Sequence, residues 1–198
     1  MMDELAENAG MNPLEFRLKQ LKNERMRGVL TAAAEKFRWE DRWKRNSSKQ
    51  TRGVGLACGT EKGSYVACYV EVEVNNDGAY RVQEIVEAYE CGAILNPRNT
   101  LAQVEGAIIQ GLGGALMEEM RFENGKILNA RFSEYQVPRF SHVPKIECVL
   151  LDRKDLASVG AGETPIIAVA PAIANAIANA IQVRNRSMPI RNEAVRPA

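Results

Sequence analysis

Apolar side chains recur every three or four positions through the first 40 residues, a spacing typical of helices. Asn12 followed by Pro13 predicts a helix start, because an N-cap residue then precedes a proline in the first turn. A further helix is predicted from about Arg25 to Phe37. The pattern therefore predicts a helical head over residues 1–40.

The hydrophobic period changes to two after Gly53, which is typical of half-buried strands. The clearest alternation covers 65–74, and the sequence Asn-Asn-Asp-Gly at 75–78 predicts a hairpin turn into a second strand near 79–90. Further elements are predicted as strands at 53–60 and 145–151 and as a smaller hairpin at 123–125. Together these elements predict a mostly antiparallel sheet.

A long helix is predicted at about 98–120, although it contains Gly106, Gly111, Gly113 and Gly114. Each interior glycine costs about 1 kcal/mol relative to alanine, so something must require a backbone without side chains. Close packing of another helix or of the sheet is one explanation. A bulky ligand on the glycine face is the other.

A second long helix is predicted at about 165–182, where isoleucines recur every four residues among alanines. The small alanine side chains allow close approach to neighbouring elements. Pro171 lacks a backbone donor, so the helix either begins or bends there, and Pro165 starts a preceding turn. The pattern predicts a helix of the hydrophobic core.

The segment 41–52 is polar, basic and without periodicity, which predicts an exposed loop. It is interpreted as a solvated face, with a site for an anionic partner as the alternative. The sequence thus predicts an α+β fold in three parts. These are the helical head (1–40), the basic loop (41–52) and an α+β domain with a mostly antiparallel sheet and two long packed helices (53–198).

Composition excludes several classes of protein. The 198 residues include 26 basic and 25 acidic side chains, which argues against a dedicated nucleic-acid-binding protein. No apolar run approaches the roughly 18 residues of a membrane span, and the acidic start does not resemble an export signal. A soluble globular protein is expected, with no membrane span.

Few residues are available for metal binding or nucleophilic catalysis. The four cysteines lack the C-x-x-C spacing of zinc and redox sites and are interpreted as free thiols, mostly buried. His142 is the single histidine, which argues against a histidine-rich metal site and a Ser-His-Asp triad. It is interpreted as a surface or structural residue.

The candidate for chemistry is Glu163, which follows Gly160-Ala161-Gly162 just before the second long helix. The bare backbone of a Gly-x-Gly turn lets a large reactant approach the carboxylate. A helix N-terminus favours the ionised form and burial opposes it, the balance that a general base needs. A solvated turn carboxylate and a helix-capping acid are the alternatives.

Several strings resemble the molybdenum-binding subunit of the xanthine dehydrogenase and aldehyde oxidase family. Besides the Gly-x-Gly-Glu turn they are Met2–Ala6, Asn12–Leu18, Gly92–Pro97, Gln103–Gly106, Gln110–Gly113 and Tyr135–Pro138. They follow the family order and cover nearly the whole chain. The ending Arg186–Ile190 resembles the branch of isoquinoline 1-oxidoreductase beta subunits.

The resemblance implies a molybdopterin-binding fold and a molybdenum hydroxylase acting on a small aldehyde or N-heterocycle. It implies a molybdopterin cofactor with molybdenum, commonly in the cytosine dinucleotide form, and no protein side chain as metal ligand. Glu163 would be the catalytic base. Gln103 and Gly106 would border the cofactor, and Gly162 would leave room beside the metal.

Two departures from the family pattern change these expectations. Thr164 replaces the usual proline after the glutamate, which is expected to loosen the turn. Family subunits are several times longer, and this chain resembles their last quarter. We therefore expect the isolated chain to fold without turnover and to lack the cofactor. A non-catalytic remnant or binding module is the alternative.

The same resemblance implies partners. They are the missing N-terminal portion of the molybdenum subunit and an iron–sulfur subunit, which receives the electrons. A sizeable apolar face is expected where the missing portion would pack, with homodimerisation through it as a further possibility. A cytoplasmic location is the default expectation, and family members also occur in the periplasm.

Overall fold

The computed structural model describes residues 1–46, 51–75 and 79–190. The helices are α1 (Met2–Asn8), α2 (Pro13–Gln20), α3 (Glu24–Phe37), α4 (Trp39–Asn46), α5 (Pro97–Leu116) and α6 (Val169–Ile181). The strands are β1 (Arg52–Glu61), β2 (Ser64–Val74), β3 (Tyr80–Glu90), β4 (Phe122–Glu123), β5 (Lys126–Ile127) and β6 (Lys145–Leu150). A 3-10 helix, Thr164–Ala168, leads into α6.

The main sheet has the strand order β1-β2-β3-β6. Its first three strands are antiparallel neighbours, whereas β6 runs parallel to β3 because the chain returns through α5 and a long connection. The predicted α+β fold with a mostly antiparallel sheet is confirmed. Of the predicted turn at 75–78, residues 76–78 lie outside the described residues.

Helices cover both faces of this sheet, because its strands alternate apolar residues toward each side. On one face α3 packs with a cluster that includes Leu30, Phe37 and Tyr69. On the other face α5 and α6 pack against the side chains of Val70, Ile85 and their neighbours. The helical head therefore contributes one of the two hydrophobic cores.

The segment 41–52 differs from its predicted form as a loop. Residues 41–46 belong to α4, whose first residue, Trp39, is buried and stacks on Trp43 with 5.3 Å between ring centroids. Residues 47–50 lie outside the described residues. Burial of the tryptophan stabilises a helix that the polar composition did not suggest.

Three arginines of this basic region pair with carboxylates of the sheet. Arg42 contacts both Glu71 at 2.7 Å and Glu84 at 2.6 Å. Arg45 lies 2.6 Å and Arg52 3.8 Å from Glu71. These ion pairs neutralise much of the basic charge, which disfavours the interpretation as a site for an anionic partner.

The glycines of β1 allow α6 to approach the sheet so closely that the backbones of helix and strand are in contact. A Cβ at Gly55 would lie 2.2 Å from the Ala176 nitrogen, and one at Gly53 would lie 2.0 Å from the Ala176 oxygen. The alanine-rich face of α6 is therefore matched by side-chain-free positions on β1.

The segment Thr164–Ile181 is long and apolar enough to cross a membrane by length and composition alone, contrary to the expectation from the sequence. However, 56% of this segment is buried inside the protein, as in a core helix.

We expect Gly55→Ala to lower the free energy of unfolding by about 1–3 kcal/mol, because the added methyl group forces helix and strand apart. Urea denaturation of the purified chain measures this. Gly106→Ala is the matched control, since a Cβ at that position of α5 would meet no atom within 4 Å in residues 1–46, 51–75 and 79–190. It should stabilise the chain by up to about 1 kcal/mol through helix propensity. Equal effects of both substitutions would contradict the close approach.

A carboxyl group is buried in the centre of the sheet. Glu87 on β3 pairs in register with Cys68 of β2 and Cys148 of β6, and its side chain has no exposed surface. Neither carboxyl oxygen has a hydrogen-bond partner of good geometry among the described residues. Burial raises the pKa of Glu87 well above its usual value.

We expect Glu87→Met to raise the free energy of unfolding at pH 8 by about 1–3 kcal/mol, since it removes an unsatisfied buried polar group. Because the folded-state pKa is raised, the wild-type chain loses stability as pH rises from the unfolded pKa through the folded one. The variant should lack this loss. Glu73→Met, on the half-exposed side of β2, is the control. A less stable Glu87→Met variant would show that the carboxyl group is satisfied.

Candidate active site

Glu163 lies at the end of a loop that leads into the 3-10 helix before α6. It occupies the N-cap position but makes no capping hydrogen bond to the described residues, so the interpretation as a helix-capping acid is wrong. Its side chain is 64% exposed and forms an ion pair with Lys62, which lies between β1 and β2. The carboxylate therefore combines accessibility with one fixed partner.

The hydrogen bond and charge of Lys62 lower the pKa of Glu163 below its usual value. The sequence predicts that burial opposes the ionised form at this site, but the exposed position makes that effect minor. The carboxylate is thus ionised at neutral pH. It can accept a proton, but its lowered pKa makes it a weaker base than the balance of helix end and burial predicted from the sequence.

Thr164 anchors the turn, which corrects the prediction that it loosens the turn. The residue is buried, and its hydroxyl group lies 2.8 Å from the Ser64 hydroxyl group, which donates to it. The Thr164 hydroxyl group donates to the Glu61 carbonyl oxygen at 3.3 Å. A proline could make neither bond. The sequence departure is therefore compensated by polar contacts with the β1–β2 hairpin.

Gln103 of α5 is brought to the same loop. Its side-chain amide Nε2 donates to the Gly162 carbonyl oxygen at 3.0 Å. Two residues predicted to border one site thus meet, although 59 positions separate them in the sequence. The glutamate loop is held against the start of the glycine-containing helix.

The glycines of α5 fall into two groups. A Cβ at Gly111 would lie 2.9 Å from the Val169 Cβ, and one at Gly113 would lie 2.9 Å from the Pro138 Cδ. Packing within the chain explains these two. A Cβ at Gly106 or Gly114 would meet no atom of the described residues within 4 Å. Packing among the described residues therefore does not account for the second pair.

Gly162 belongs with Gly106 in this respect. A Cβ there would also lie more than 4 Å from every atom in the described part of the chain, and the backbone of Gly162 does not have a positive φ. Neither conformation nor packing in the described residues requires glycine at this position. Gly106 and Gly162 are both exposed, and the bond from Gln103 to the Gly162 oxygen joins α5 to the glutamate loop. A large ligand could approach the backbone of either glycine closely, so the residues present fit the molybdopterin group that the resemblance implies.

An apolar cleft of about 540 Å³ lies further along α5. Gln110, Gly114, Ile167 and Met188 are among its lining residues. Gln110 lies two helical turns from Gln103. Glu163 and Gln103 do not line the cleft, so the predicted site is an open surface beside it.

Other candidate residues take structural positions. His142 is exposed, in agreement with its interpretation as a surface residue, and lies in a short 3-10 helix. All four cysteines are free thiols, with Cys68 and Cys91 buried and Cys58 and Cys148 half-buried. In the parts of the chain that the structure describes, no group of three His, Cys, Asp or Glu side chains could hold a metal ion.

Sequence reasoning missed Lys62 and Ser64 as partners of the glutamate turn. The signal available was Lys62-Gly63 between two alternating segments, which is typical of a tight hairpin. Lys62 and Gly63 both have positive φ, 50° and 81°. Nothing in the local sequence relates this hairpin to a turn about 100 residues later.

The fold is that of a molybdopterin-binding domain. Residues 60–144 match the family model described as molybdopterin cofactor-binding domain. The crystal structure of the aldehyde oxidoreductase from Desulfovibrio desulfuricans superposes with a TM-score of 0.81 over 98% of this chain and 39% of that one, at 19% sequence identity.

Two sequence relatives extend this finding. The beta subunit of isoquinoline 1-oxidoreductase from Brevundimonas diminuta is 34% identical over 96% of this chain, and a nicotinate dehydrogenase subunit from Pseudomonas putida is 30% identical over all of it. The chain belongs to the xanthine dehydrogenase and aldehyde oxidase family and corresponds to a portion of its molybdenum-binding subunit. It spans 24% and 18% of the length of these two relatives, respectively.

Proposed function

We propose that this chain forms part of a molybdenum hydroxylase, to which it contributes the catalytic base Glu163 and part of the wall of the cofactor pocket. The observation that carries the proposal is the bond from Gln103 Nε2 to the Gly162 oxygen at 3.0 Å. It holds an accessible carboxylate beside glycines that nothing in the described chain requires. That combination suits a large cofactor supplied with the rest of the subunit.

Each residue has a defined task in this proposal. Glu163 accepts a proton at a carboxylate oxygen as the substrate is oxygenated. Gln103 fixes the loop through the Gly162 carbonyl group. Gly106 and Gly162 keep their surface free of side chains, so that the cofactor can lie against the backbone. Molybdenum held by molybdopterin, in the proposed cytosine dinucleotide form, supplies the redox chemistry when bound.

The proposed substrate is a small aldehyde or N-heterocycle. Relatives named for isoquinoline and for nicotinate match nearly the whole chain. The molybdenum-binding subunit of the Escherichia coli aldehyde oxidoreductase is 36% identical over 66% of it. An electron-poor carbon is common to these compounds. Electrons would leave through an iron–sulfur subunit.

The proposed binding surface for the rest of the molybdenum subunit is the arm, residues 117–143. Phe132 and Phe140 are fully exposed there, and Phe122, Ile127 and Leu128 are mostly exposed. Exposed aromatic side chains at this density indicate a protein contact. Because the relatives contain several times more chain than this one, we assign the contact to that remaining portion.

Co-production tests the proposal. The chain is expressed with a polypeptide that matches the remaining portion of a relative's subunit and with an iron–sulfur subunit, in cells that make molybdopterin. We expect a complex that contains molybdenum and oxidises an aldehyde or N-heterocycle, whereas the chain alone has no turnover. A complex without molybdenum would indicate the non-catalytic alternative. A homodimer formed through the arm, with no binding of the co-produced portion, would contradict the assigned contact.

A further inference from the structure

The β1–β2 hairpin is a rigid support next to the glutamate turn. The two strands pair without interruption up to Glu61 and Ser64, which leaves a two-residue turn at Lys62 and Gly63. The Thr60 hydroxyl group donates to the Ser64 carbonyl oxygen at 2.7 Å and closes the end of the ladder. The backbone that carries Lys62 is therefore fixed by the sheet.

The glutamate loop contacts this hairpin on both sides of Glu163. After the glutamate, Thr164 lies 2.8 Å from the Ser64 hydroxyl group, in a bond buried from solvent. Before the glutamate, Val159 packs on Gly63, where a Cβ would lie 3.2 Å from Val159 Cγ1. The two backbones are thus held together independently of Lys62.

The Lys62 ammonium group bonds to Glu163 Oε1 within this frame. Glu61, whose Oε1 lies 3.7 Å from Lys62 Nζ, is the other carboxylate facing it. Both partners are about two-thirds exposed, so solvent screens the pair and it contributes little to stability. Its effect is on the orientation and the proton affinity of the carboxylate. A lysine partner favours the ionised form.

We propose that Lys62 is the positioning residue of Glu163, holding its carboxylate against the β1–β2 hairpin so that one oxygen, Oε2, stays available to accept a proton. The inference rests on the proposed role of Glu163. Lys62 acts through the glutamate and does not itself touch the reacting atoms. Since the two residues are 101 positions apart, only the packing of the glutamate loop on the hairpin creates the pair.

Titration of Glu163 tests the pair without the cofactor. Glutamate side chains of the 198-residue chain are labelled with carbon-13 at the carboxyl carbon, and Glu163→Gln identifies the signal. In the wild-type chain we expect a titration midpoint below that of an exposed glutamate without a cationic partner. Lys62→Met should raise it to the usual range, and Lys62→Arg should keep it low. Lys19→Met, on the exposed side of α2, is the matched control.

An unchanged midpoint in Lys62→Met would overturn the inference, and so would an equal shift in the Lys19→Met control. In the assembled enzyme, Lys62→Met should move the acidic limb of the kcat/KM profile to higher pH, in the same direction as the midpoint. An inactive complex, or an active Glu163→Gln complex, contradicts the proposed function instead. The titration result remains valid in that case, so the two failures are distinguishable.

Discussion

Glu163→Gln is expected to lower kcat of the assembled enzyme by about 10²–10⁴-fold, the usual contribution of general base catalysis. The amide is close in size to the carboxylate but cannot accept the proton. Because Gln103 holds the loop through the Gly162 carbonyl group and Thr164 through its hydroxyl group, the backbone of the turn does not depend on the carboxylate. Molybdenum content should therefore stay at the wild-type level.

Steady-state turnover and metal analysis of the same preparations measure this effect. Glu15→Gln, an exposed position of α2, serves as the control and should retain wild-type kcat. Loss of molybdenum together with activity would indicate damage to the cofactor wall. A fully active Glu163→Gln enzyme would remove Glu163 from the mechanism.

Arg25→Met should lower the free energy of unfolding by about 3–5 kcal/mol, the cost of leaving a buried carboxylate without its partner. Arg25 Nε and a terminal nitrogen contact the two oxygens of Glu90 at 2.5 and 2.8 Å. Glu90 is 1% exposed and also accepts from the Gly92 amide. The arginine lies over the Tyr65 ring as well, 4.4 Å from its centroid. One substitution thus removes the bidentate contact between α3 and the end of β3.

The pH dependence of unfolding separates this pair from simple packing. Burial raises the pKa of Glu90, but the bonds from Arg25 and the Gly92 amide outweigh it and lower the pKa overall. The pair therefore stabilises the fold above the unfolded-state pKa, and this contribution is lost as pH falls through the folded-state value. Arg25→Met should lose most of this dependence.

Denaturation at pH 7 and at pH 3 measures both effects. Arg38→Met is the matched control, because its ion pair with Asp41 is mostly exposed and should contribute less than about 1 kcal/mol. Adding Glu90→Gln to Arg25→Met should recover part of the loss, since the amide carries no charge. Equal losses in Arg25→Met and Arg38→Met would contradict the argument.

The strands and the long helices were predictable because their patterns are local. Alternation over 65–74 and four-residue spacing of isoleucine in α6 each reflect one face turned toward a core. The ends of the helices were predicted less accurately than their positions in the chain. The helix predicted to reach residue 120 ends at Leu116, where the amides of Met117 and Glu118 both bond to the Gly113 oxygen. The helical α4 was missed because its stability comes from burial of Trp39.

The amino-acid sequence by itself determined the order of helices and strands, the family resemblance and the identity of Glu163 as the candidate base. These depend on residue types and short spacings. Only the tertiary structure decided that Lys62 pairs with Glu163, that Thr164 anchors the turn and that Gly106 and Gly162 stay open. The hydrogen bonds of the glutamate loop, including that from Gln103 to Gly162, join residues about 60 to 100 positions apart. They form only when the packed sheet and helices bring these segments together.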